Sequence, residues 1–299
     1  MDTFSTIPVF TAVIELGSFS AAGQKLGINK SAVSKRISAL ERHLGVKLIQ
    51  RTTRKLSLTE AGEQYYRYIH QAQALINEGE DAVGLLQGSP KGQLKVSIPM
   101  VFGRLHIAPL LSEFMLNFPD IKLTLIMDDK VVDLVEEGLD MALRIGALPD
   151  SSLIARKLSP CRSVVCASPN YLKKYGSPTR LAELKQHNCL YYSYFRAGIE
   201  WTFNGPNGRE RIKPEGNIQV NNSDVLKQLM LDGVGIGQMP LFIVEAELAS
   251  GELVAILEPY RLPEHAIYAV YPQREFMPAK LRVFLDFLQQ KLLPKHPYW

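Results

Sequence analysis

The segment from Gln24 to Lys55 concentrates side chains whose chemistry suits phosphates and base edges. It holds nine basic residues and one acidic residue, Glu41, a local net charge of +8 in a chain of formal net charge +4. Such an excess is the electrostatic footprint of a nucleic-acid-binding surface. Serine hydroxyls lie among the basic residues, and short hydroxyls allow a helix to approach base edges. The segment therefore predicts a surface that reads duplex DNA.

Three helices are predicted to position these side chains. Apolar residues recur at three- and four-residue steps over residues 4–14, which is typical of a helix with one buried stripe. Ser18 and Gly27 are suited to cap and to end a short second helix. Asn29 can cap a third helix that ends at Gly45. Two helices joined by so short a turn form a helix-turn-helix.

The third helix has a predicted DNA-facing side, because an apolar stripe from Val33 to Leu44 would be buried and leave the polar side outward. An ordinary solvated helix face is the alternative. Residues 47–58 alternate around a basic tip, as in a two-stranded wing. Arg51 and Arg54 could enter a minor groove, hold phosphates, or instead pair with acidic neighbours. The residues predicted to contact DNA are Lys30, Ser31, Ser34, Lys35, Arg36, Ser38, Arg51, Thr52 and Arg54.

A long helix is predicted to follow the wing. Thr59 can cap it, and its apolar or small residues then alternate strictly at steps of four and three. This 3.5-residue period favours pairing with another helix, so we expect a coiled-coil dimer. A helix buried within one subunit is the alternative. The positions of the stripe are Ala61, Tyr65, Tyr68, Ala72, Leu75, Gly79, Ala82 and Leu86.

Residues 88–92 cannot continue that helix, and strands alternate with helices beyond them. The predicted strands are 94–99, 122–127, 141–145, 162–167, 190–192, 218–220, 234–238 and 267–271. The predicted helices are 105–117, 131–137, 169–175, one from residue 223, and 279–292. Such alternation predicts a parallel α/β architecture, and its two series predict two similar lobes around a cleft.

Composition excludes several classes of protein. The 46% apolar and 21% charged content is that of an ordinary globular chain, so fibrous and disordered classes are set aside. No apolar run approaches the roughly 20 residues that span a bilayer. The N-terminus also lacks a secretory signal, and we expect a cytoplasmic protein with no membrane partner.

Catalytic and metal-binding patterns are missing from the sequence. It contains no nucleophile elbow, phosphate-loop lysine motif or dinucleotide fingerprint, and its six histidines have no ligand spacing. We therefore expect no catalytic residues, no metal and no cofactor. Cys161, Cys166 and Cys189 are expected to be reduced thiols. A redox switch at Cys161 and Cys166 is the less favoured interpretation.

Six stretches form a long and specific signature: FSAA (19–22), LGINKSAVSKRI (26–37), LE (40–41), LGVKL (44–48), RTTR (51–54) and LTEAG (58–62). They resemble the winged helix-turn-helix of LysR-type transcriptional regulators, and the resemblance covers essentially the full chain. It implies a homodimer or homotetramer bound to interrupted inverted repeats in double-stranded DNA. Family members usually carry Gln or a similar residue where this chain has Lys30, a departure that concerns the operator sequence.

The resemblance also implies a domain organisation. A winged helix-turn-helix would occupy residues 1–59, a linker helix and hinge 60–91, and an effector domain resembling periplasmic binding proteins 92–299. Its first lobe would comprise about residues 92–161 and 267–299, and its second lobe about residues 162–266. A small-molecule effector between the lobes would control DNA binding.

The residues and the resemblance together suggest where that effector binds. Ligands of parallel α/β lobes collect beyond the carboxyl ends of strands. Arg144 and free backbone amides would suit a carboxylate, although Arg144 could pair with a local acid and Asn222 could merely cap a helix. Phe102 and Tyr194 would suit an apolar or aromatic body. With Tyr194 added on that ground, the site that the resemblance implies comprises Pro99, Met100, Val101, Phe102, Met127, Arg144, Ser193, Tyr194, Asn222 and Gln238.

A second hypothesis is a solute-binding or catalytic α/β protein with an N-terminal interaction module. It would require an export signal or a reactive constellation, and the sequence offers neither. A steep salt dependence of binding to heparin or duplex DNA would distinguish the two hypotheses, because a solute receptor should lack it.

Overall fold

A computed structural model describes the chain over residues 5–51, 56–85, 90–148, 152–195, 198–206, 208–273 and 277–292. It divides into two compact units, Met1–Glu80 and Asp81–Trp299. Within the described ranges, no helix is both long enough and apolar enough to cross a membrane. Each unit is built around its own hydrophobic clusters.

The first unit begins with the three predicted helices, α1 (Ile7–Leu16), α2 (Phe19–Leu26) and α3 (Lys30–Leu44). The capping predictions are confirmed. The Ser18 Oγ accepts a bond from the Ala21 amide (3.3 Å), and the Asn29 Oδ1 accepts one from the Ala32 amide (2.7 Å). Gly45 ends α3 at a left-handed φ of 71° that favours glycine.

The wing and the long helix complete this unit. Strands β1 (Ile49–Arg51) and β2 (Leu56–Leu58) pair antiparallel, with Ile49 opposite Leu58. Helix α4 (Glu60–Leu85) follows and packs its first turns on the core of α1 to α3. The Phe10 ring, which is fully buried, meets the Tyr65 ring edge-on at 5.5 Å between centroids. The first turns of α4 therefore belong to the same hydrophobic core as the helix-turn-helix.

The second unit contains two five-stranded sheets. The first has the order β4-β3-β5-β14-β6, in strands Ile121–Met127, Gly92–Ile98, Met141–Ile145, His265–Pro272 and Leu153–Cys161. The second has the order β11-β8-β12-β7-β13, in strands Gln219–Val220, Cys189–Tyr192, Ile236–Pro240, Ser163–Ala167 and Val254–Ala255. A separate hairpin joins β9 (Trp201–Gly205) to β10 (Gly208–Ile212).

Both five-stranded sheets are mixed rather than purely parallel. Strand β3 runs parallel to β4 and β5, but β14 runs antiparallel to β5 and β6. In the second sheet, β8 runs parallel to β11 and β12, but β7 runs antiparallel to β12 and β13. The α/β class is confirmed, and the antiparallel strands are those that carry the chain between sheets.

The helix after β3 differs from its prediction at the start. It begins at Met100 rather than near residue 105, as α5 (Met100–Phe102), a π turn (Gly103–Ile107) and α6 (Ala108–Asn117) in direct succession. A π turn carries one more residue per hydrogen-bonded ring than an α-helix and is frequent at functional sites. Helices α7 (Pro169–Tyr175), α8 (Ser223–Leu231) and α10 (Ala279–Leu292) lie where the sequence predicted them.

The helix predicted over residues 131–137 is wrong. The Asp133 carboxylate accepts bonds from the Val135 amide (2.8 Å) and the Glu136 amide (3.0 Å), as a helix cap would. Only a single turn follows, because Gly138 already has a left-handed φ of 62°, which ends it. Several elements were not predicted: strands β6, β9, β10 and β13, helix α9 (Leu241–Ser250) and a 3₁₀ helix (Leu181–Gln186).

Candidate DNA-binding and effector sites

Helix α3 separates an apolar side from a polar side, as predicted. Val33, Ile37 and Leu40 are fully buried. Of the predicted DNA-contacting residues on this helix, Ser34 and Ser38 are half-buried, and the exposed ones are Lys30, Ser31, Lys35 and Arg36. The structure therefore brings these six residues together on the helix and leaves its basic side chains accessible.

The Ser31 hydroxyl has a partner within the protein. Its Oγ donates to the Asn29 Oδ1 (2.7 Å), the same oxygen that caps the Ala32 amide. The hydroxyl proton is therefore used in the cap, and Ser31 can offer only lone pairs to a base while that bond persists. The sequence had indicated separate roles for the two residues, Asn29 as a cap and Ser31 as a base reader.

The structure describes the wing positions only in part. Arg51 is the last residue of β1 and pairs with Leu56 in the strand register. Its side chain lies outside the described residues, as do Thr52 and Arg54 entirely. Their predicted contacts with DNA stay predictions.

Glu41 has a structural role that was not predicted from the sequence. It is only 5% exposed, and its Oε1 accepts bonds from the Leu48 amide (3.1 Å) and the Ile49 amide (3.2 Å). Its Oε2 lies 2.6 Å from the Lys47 Nζ. Burial alone would raise the pKa of Glu41, but the Lys47 ammonium and the two amides outweigh it and hold the pKa below its usual value. A carboxylate four residues after Ile37, on the apolar stripe, was the available signal.

The same stretch of chain is also held by the start of α4. The Thr59 Oγ1 donates to the Lys47 carbonyl (2.6 Å), and the Thr59 amide donates to the Leu48 carbonyl (3.0 Å). The Thr59 Oγ1 also accepts from the Gly62 amide (3.0 Å), as predicted for a cap. A Cβ on Gly62 would lie 2.0 Å from the Leu48 oxygen, so only glycine allows this approach.

The stripe predicted along α4 divides into two parts. Ala61 and Tyr65 pack on the core of the first unit, whereas Tyr68 and Leu75 are 69% and 68% exposed. Ala72, between them, is exposed as well. The side chains of Ala82 and Leu86 lie outside the described residues. A row of apolar side chains thus remains uncovered in the single chain.

The predicted effector residues after β3 are mostly packed. Val101 and Phe102 are buried, and the Phe102 ring meets the Phe242 ring edge-on at 5.4 Å. Met100 is partly exposed, and its amide donates to the Asp129 Oδ1 (3.0 Å). These contacts place Met100 nearer to solvent than the two residues that follow it.

Arg144 lies at the end of β5 and is 9% exposed. Its Nη1 donates to the Ser97 Oγ (3.2 Å), while its Nη2 has no hydrogen-bond partner among the described residues. Burial lowers the pKa of Arg144, and the charges of Asp128 and Asp129 only partly oppose that effect. Neither carboxylate makes an ion pair with Arg144 within 4.0 Å in the described part of the chain.

Asn222 both caps a helix and touches the segment after β3. Its Oδ1 accepts from the Asp224 amide (2.9 Å) and the Val225 amide (3.2 Å) at the start of α8. Its Nδ2 lies 3.2 Å from the Met100 Sδ. Helix α8 packs with the second sheet, so this contact joins elements of the two sheets.

The remaining predicted effector residues differ in their surroundings. Ser193 and Tyr194 lie in a turn after β8, and Met127 is half-buried at the end of β4. Gln238 is buried in β12, and its Nε2 has no partner among the described residues. Burial raises the pKa of Asp129, and the Tyr192 hydroxyl and the Met100 amide only partly offset that rise.

A surface groove of about 820 Å³ lies elsewhere on the second sheet and contains none of the predicted effector residues. Its lining includes His187, Tyr191 and Pro214. Arg144 and Gln238, which lie outside the groove, each carry a buried nitrogen without a partner in the described part of the chain.

Two protein-family models match the chain. The model of the bacterial regulatory helix-turn-helix protein, lysR family, matches residues 4–63, and the LysR substrate binding domain matches residues 87–293. Among curated relatives, the regulator PtxR of Pseudomonas aeruginosa is 37% identical over 95% of this chain and 91% of its own. The regulator CrgA of Neisseria meningitidis is 38% identical over 96% of both chains.

Two solved structures share the fold over nearly the whole chain. CrgA of Neisseria meningitidis superposes with a TM-score of 0.62 at 36% identity, over 96% of this chain and 98% of that chain. The full-length virulence activator AphB of Vibrio cholerae superposes with a TM-score of 0.65 at 29% identity, over 97% of this chain and 100% of that chain. The curated relatives are named as transcriptional regulators rather than enzymes.

Proposed function

Because the chain belongs to the LysR family of transcriptional regulators, we propose that the exposed face of α3 reads a major groove while the wing holds an adjacent groove. The observation that carries this is the separation on α3 of fully buried Val33, Ile37 and Leu40 from exposed Lys35 and Arg36. Half-buried serines lie between the two sides and can approach base edges. The regulated DNA would be an interrupted inverted repeat, bound in the cytoplasm.

Replacement of Ser34 and Lys35 by Ala tests this surface. Duplexes selected from a random library by the wild-type protein would be compared with unselected duplex at one salt concentration. The double variant should lose its preference for selected sequences. Lys173→Ala, an exposed lysine of α7, provides the same loss of charge outside the first unit and should keep the preference. Unaltered discrimination by the double variant would contradict the surface.

The proposed domain organisation places DNA binding in residues 1–59, the linker in 60–91 and effector binding in 92–299. The two family matches, at residues 4–63 and 87–293, support this division. Tyr68, Ala72 and Leu75 leave an apolar row uncovered on α4, which supports pairing of two linker helices. A dimer of this kind would present two reading helices to the two half-sites of an inverted repeat.

The proposed effector is a small molecule with a carboxylate. Arg144 supports it, since a buried guanidinium whose Nη2 lacks a partner among the described residues is stabilised when an anion occupies it. The nitrogen is covered in this conformation, so entry requires the surrounding segments to move. Their contacts, such as Met100 with Asn222, would then change on binding. An effector that binds one arrangement of the two lobes more tightly increases the population of that arrangement. DNA binding then changes with this population.

A thermal-shift screen of metabolites would identify ligands that stabilise the folded protein. Calorimetry of the strongest carboxylate with Arg144→Lys and Arg144→Ala then tests the role of the guanidinium. Both variants should bind more weakly, and Lys should retain part of the affinity because it keeps the charge but not the planar fork. An affinity that Arg144→Ala leaves unchanged would contradict the carboxylate assignment.

A further inference from the structure

The backbone of residues 47–49, which we call the wing root, is held from two sides. On one side, Glu41 of α3 accepts the Leu48 and Ile49 amides at 3.1 and 3.2 Å. On the other, Thr59 donates to the Lys47 and Leu48 carbonyls at 2.6 and 3.0 Å. Backbone groups that would otherwise be satisfied by water are therefore satisfied by two different helices. The wing root connects the reading helix to the start of α4.

Glu41 is costly to bury and is nevertheless buried. An ionised carboxylate removed from water needs charged or hydrogen-bonding partners to offset the loss of solvation. Here three donors surround it: the Lys47 ammonium and the two amides of the wing root. It is also the single acidic residue among nine basic ones between Gln24 and Lys55, the segment proposed to face a polyanion.

We propose that Glu41 is a positioning residue for DNA binding. It fixes the wing against α3, so that the wing and the exposed face of α3 engage one duplex together. Its carboxylate is buried and acts through the wing root rather than by touching DNA. Strand β1 begins at Ile49, the last residue of the wing root, so a shift of the wing root moves this strand directly. The role rests on the proposed DNA surface.

A purely electrostatic effect and a positioning effect predict opposite changes in DNA affinity for one substitution. Removing a negative charge from a DNA-binding domain should strengthen binding to a polyanion, if charge alone mattered. Glu41→Gln removes such a charge, and it also loses the ion pair with Lys47 and weakens both amide bonds. Positioning therefore predicts that Glu41→Gln binds DNA more weakly. Glu15→Gln is the matched control, because Glu15 pairs with Lys25 at 3.1 Å on the exposed surface of the same unit.

The test measures binding of full-length protein to a fluorescent random-sequence duplex of about 30 base pairs by anisotropy across a series of salt concentrations. Each phosphate contact contributes about 0.9 to the slope of log affinity against log salt. Glu15→Gln should bind as tightly as wild type, or slightly more tightly, with an unchanged slope. Glu41→Gln should bind roughly tenfold more weakly, with a slope reduced by about 1 to 2 as wing contacts are lost.

A second pair of variants approaches the wing root from α4. Thr59→Val removes the hydroxyl that bonds Lys47 without changing charge, and Thr59→Ser restores a hydroxyl. Thr59→Val should reduce the slope as Glu41→Gln does, and Thr59→Ser should recover it. Circular dichroism at the assay temperature establishes that each variant is folded. This pair tests the wing root even if Glu41→Gln does not fold.

The possible outcomes distinguish failure of the positioning role from failure of the proposed DNA surface. Wild-type protein that binds the duplex, with Glu41→Gln or Thr59→Val binding equally tightly at the same slope, would overturn the positioning role alone. Wild-type protein without affinity for the duplex would overturn the proposed DNA surface and this role with it. A reduced slope in both variants, with both controls unchanged, is the expected result.

Discussion

The guanidinium of Arg104 and the carboxylate of Asp224, 120 residues apart in sequence, form an ion pair of 2.7 Å. Arg104 lies in the π turn that follows β3, and Asp224 lies in the first turn of α8. Together with the contact of Met100 with Asn222, this pair joins elements of the two sheets. Both charged side chains are partly exposed, so solvent weakens their attraction.

Arg104→Met should destabilise the protein slightly, by about 0.2–1 kcal/mol, because exposed ion pairs contribute little in water. The loss should disappear in salt of about 1 M, where the Debye length is only about 3 Å. Thermal unfolding at low and high salt measures both effects. Arg282→Met, on an exposed arginine of α10, is the control for the change in charge. A loss of equal size at both salt concentrations would show that packing, not charge, is responsible.

Gly62→Ala should destabilise the first unit by about 1–3 kcal/mol, the usual cost of forcing a methyl group into a packed site. The added Cβ would meet the Leu48 oxygen at 2.0 Å and push α4 away from the wing root. Gly79→Ala in the same helix is the control for the single chain, because nothing in the described part of this chain lies within 4 Å of its Cβ position. Unfolding is compared at a protein concentration low enough to keep the chain monomeric, since Gly79 belongs to the stripe expected to pair. Gly79→Ala should gain about 0.5–1 kcal/mol from reduced chain entropy. Denaturant unfolding of the two variants gives the comparison, and a similar effect at both positions would contradict the close contact.

Leu75→Glu should weaken dimerisation, because it places a charge in the exposed apolar row of α4. Analytical ultracentrifugation over a range of protein concentrations would show a larger monomer fraction. Gln64→Glu adds the same charge to an exposed position of the same helix outside the stripe, and it should leave the association unchanged. If Leu75→Glu and the wild-type protein dimerise equally well, α4 is not part of the dimer interface.

The three thiols should be unreactive in the folded protein. Burial raises the pKa of Cys161, Cys166 and Cys189 to about 12, so at a pH of about 8 almost none of each is the nucleophilic thiolate. Iodoacetamide should therefore modify them only after denaturant is added, as mass spectrometry of the intact protein can measure. Rapid labelling of native Cys161 or Cys166 would revive the redox interpretation of these two residues.

The first unit was the more predictable part of the chain. Its helix ends depend on local chemistry, and the sequence places Ser18, Asn29, Gly45 and Thr59 where the structure uses them as caps or stops. The role of Glu41 depends on the path of the chain seven and eight residues later. The net charge of residues 24–55 does not contain that information, although the position of Glu41 on the apolar stripe of α3 indicated burial.

The second unit was less predictable because its structure depends more on contacts between residues far apart in sequence. Strand β14 lies between β5 and β6, and the sequence alone does not state which strands return antiparallel. The turn at Asp133 was missed because its apolar neighbours, Val131 and Val132, mimic the start of a helix. Arg144 was correctly placed at a strand end, but its burial and its bond to Ser97 follow from packing across the sheet.

The π turn at Gly103–Ile107 sets the angular phase of the helix that leaves β3. Each residue of an α-helix turns the chain by about 100°, so deleting one residue here would restore a regular helix and rotate everything before it by that angle. Met100 and Arg104 would then both turn relative to α6, so with α6 held on its own sheet they could not keep their contacts with Asn222 and Asp224. The extra residue thus matters for the rotation of the chain about the helix axis rather than for the length of the helix. That rotation determines which side chains of this helix face the second sheet.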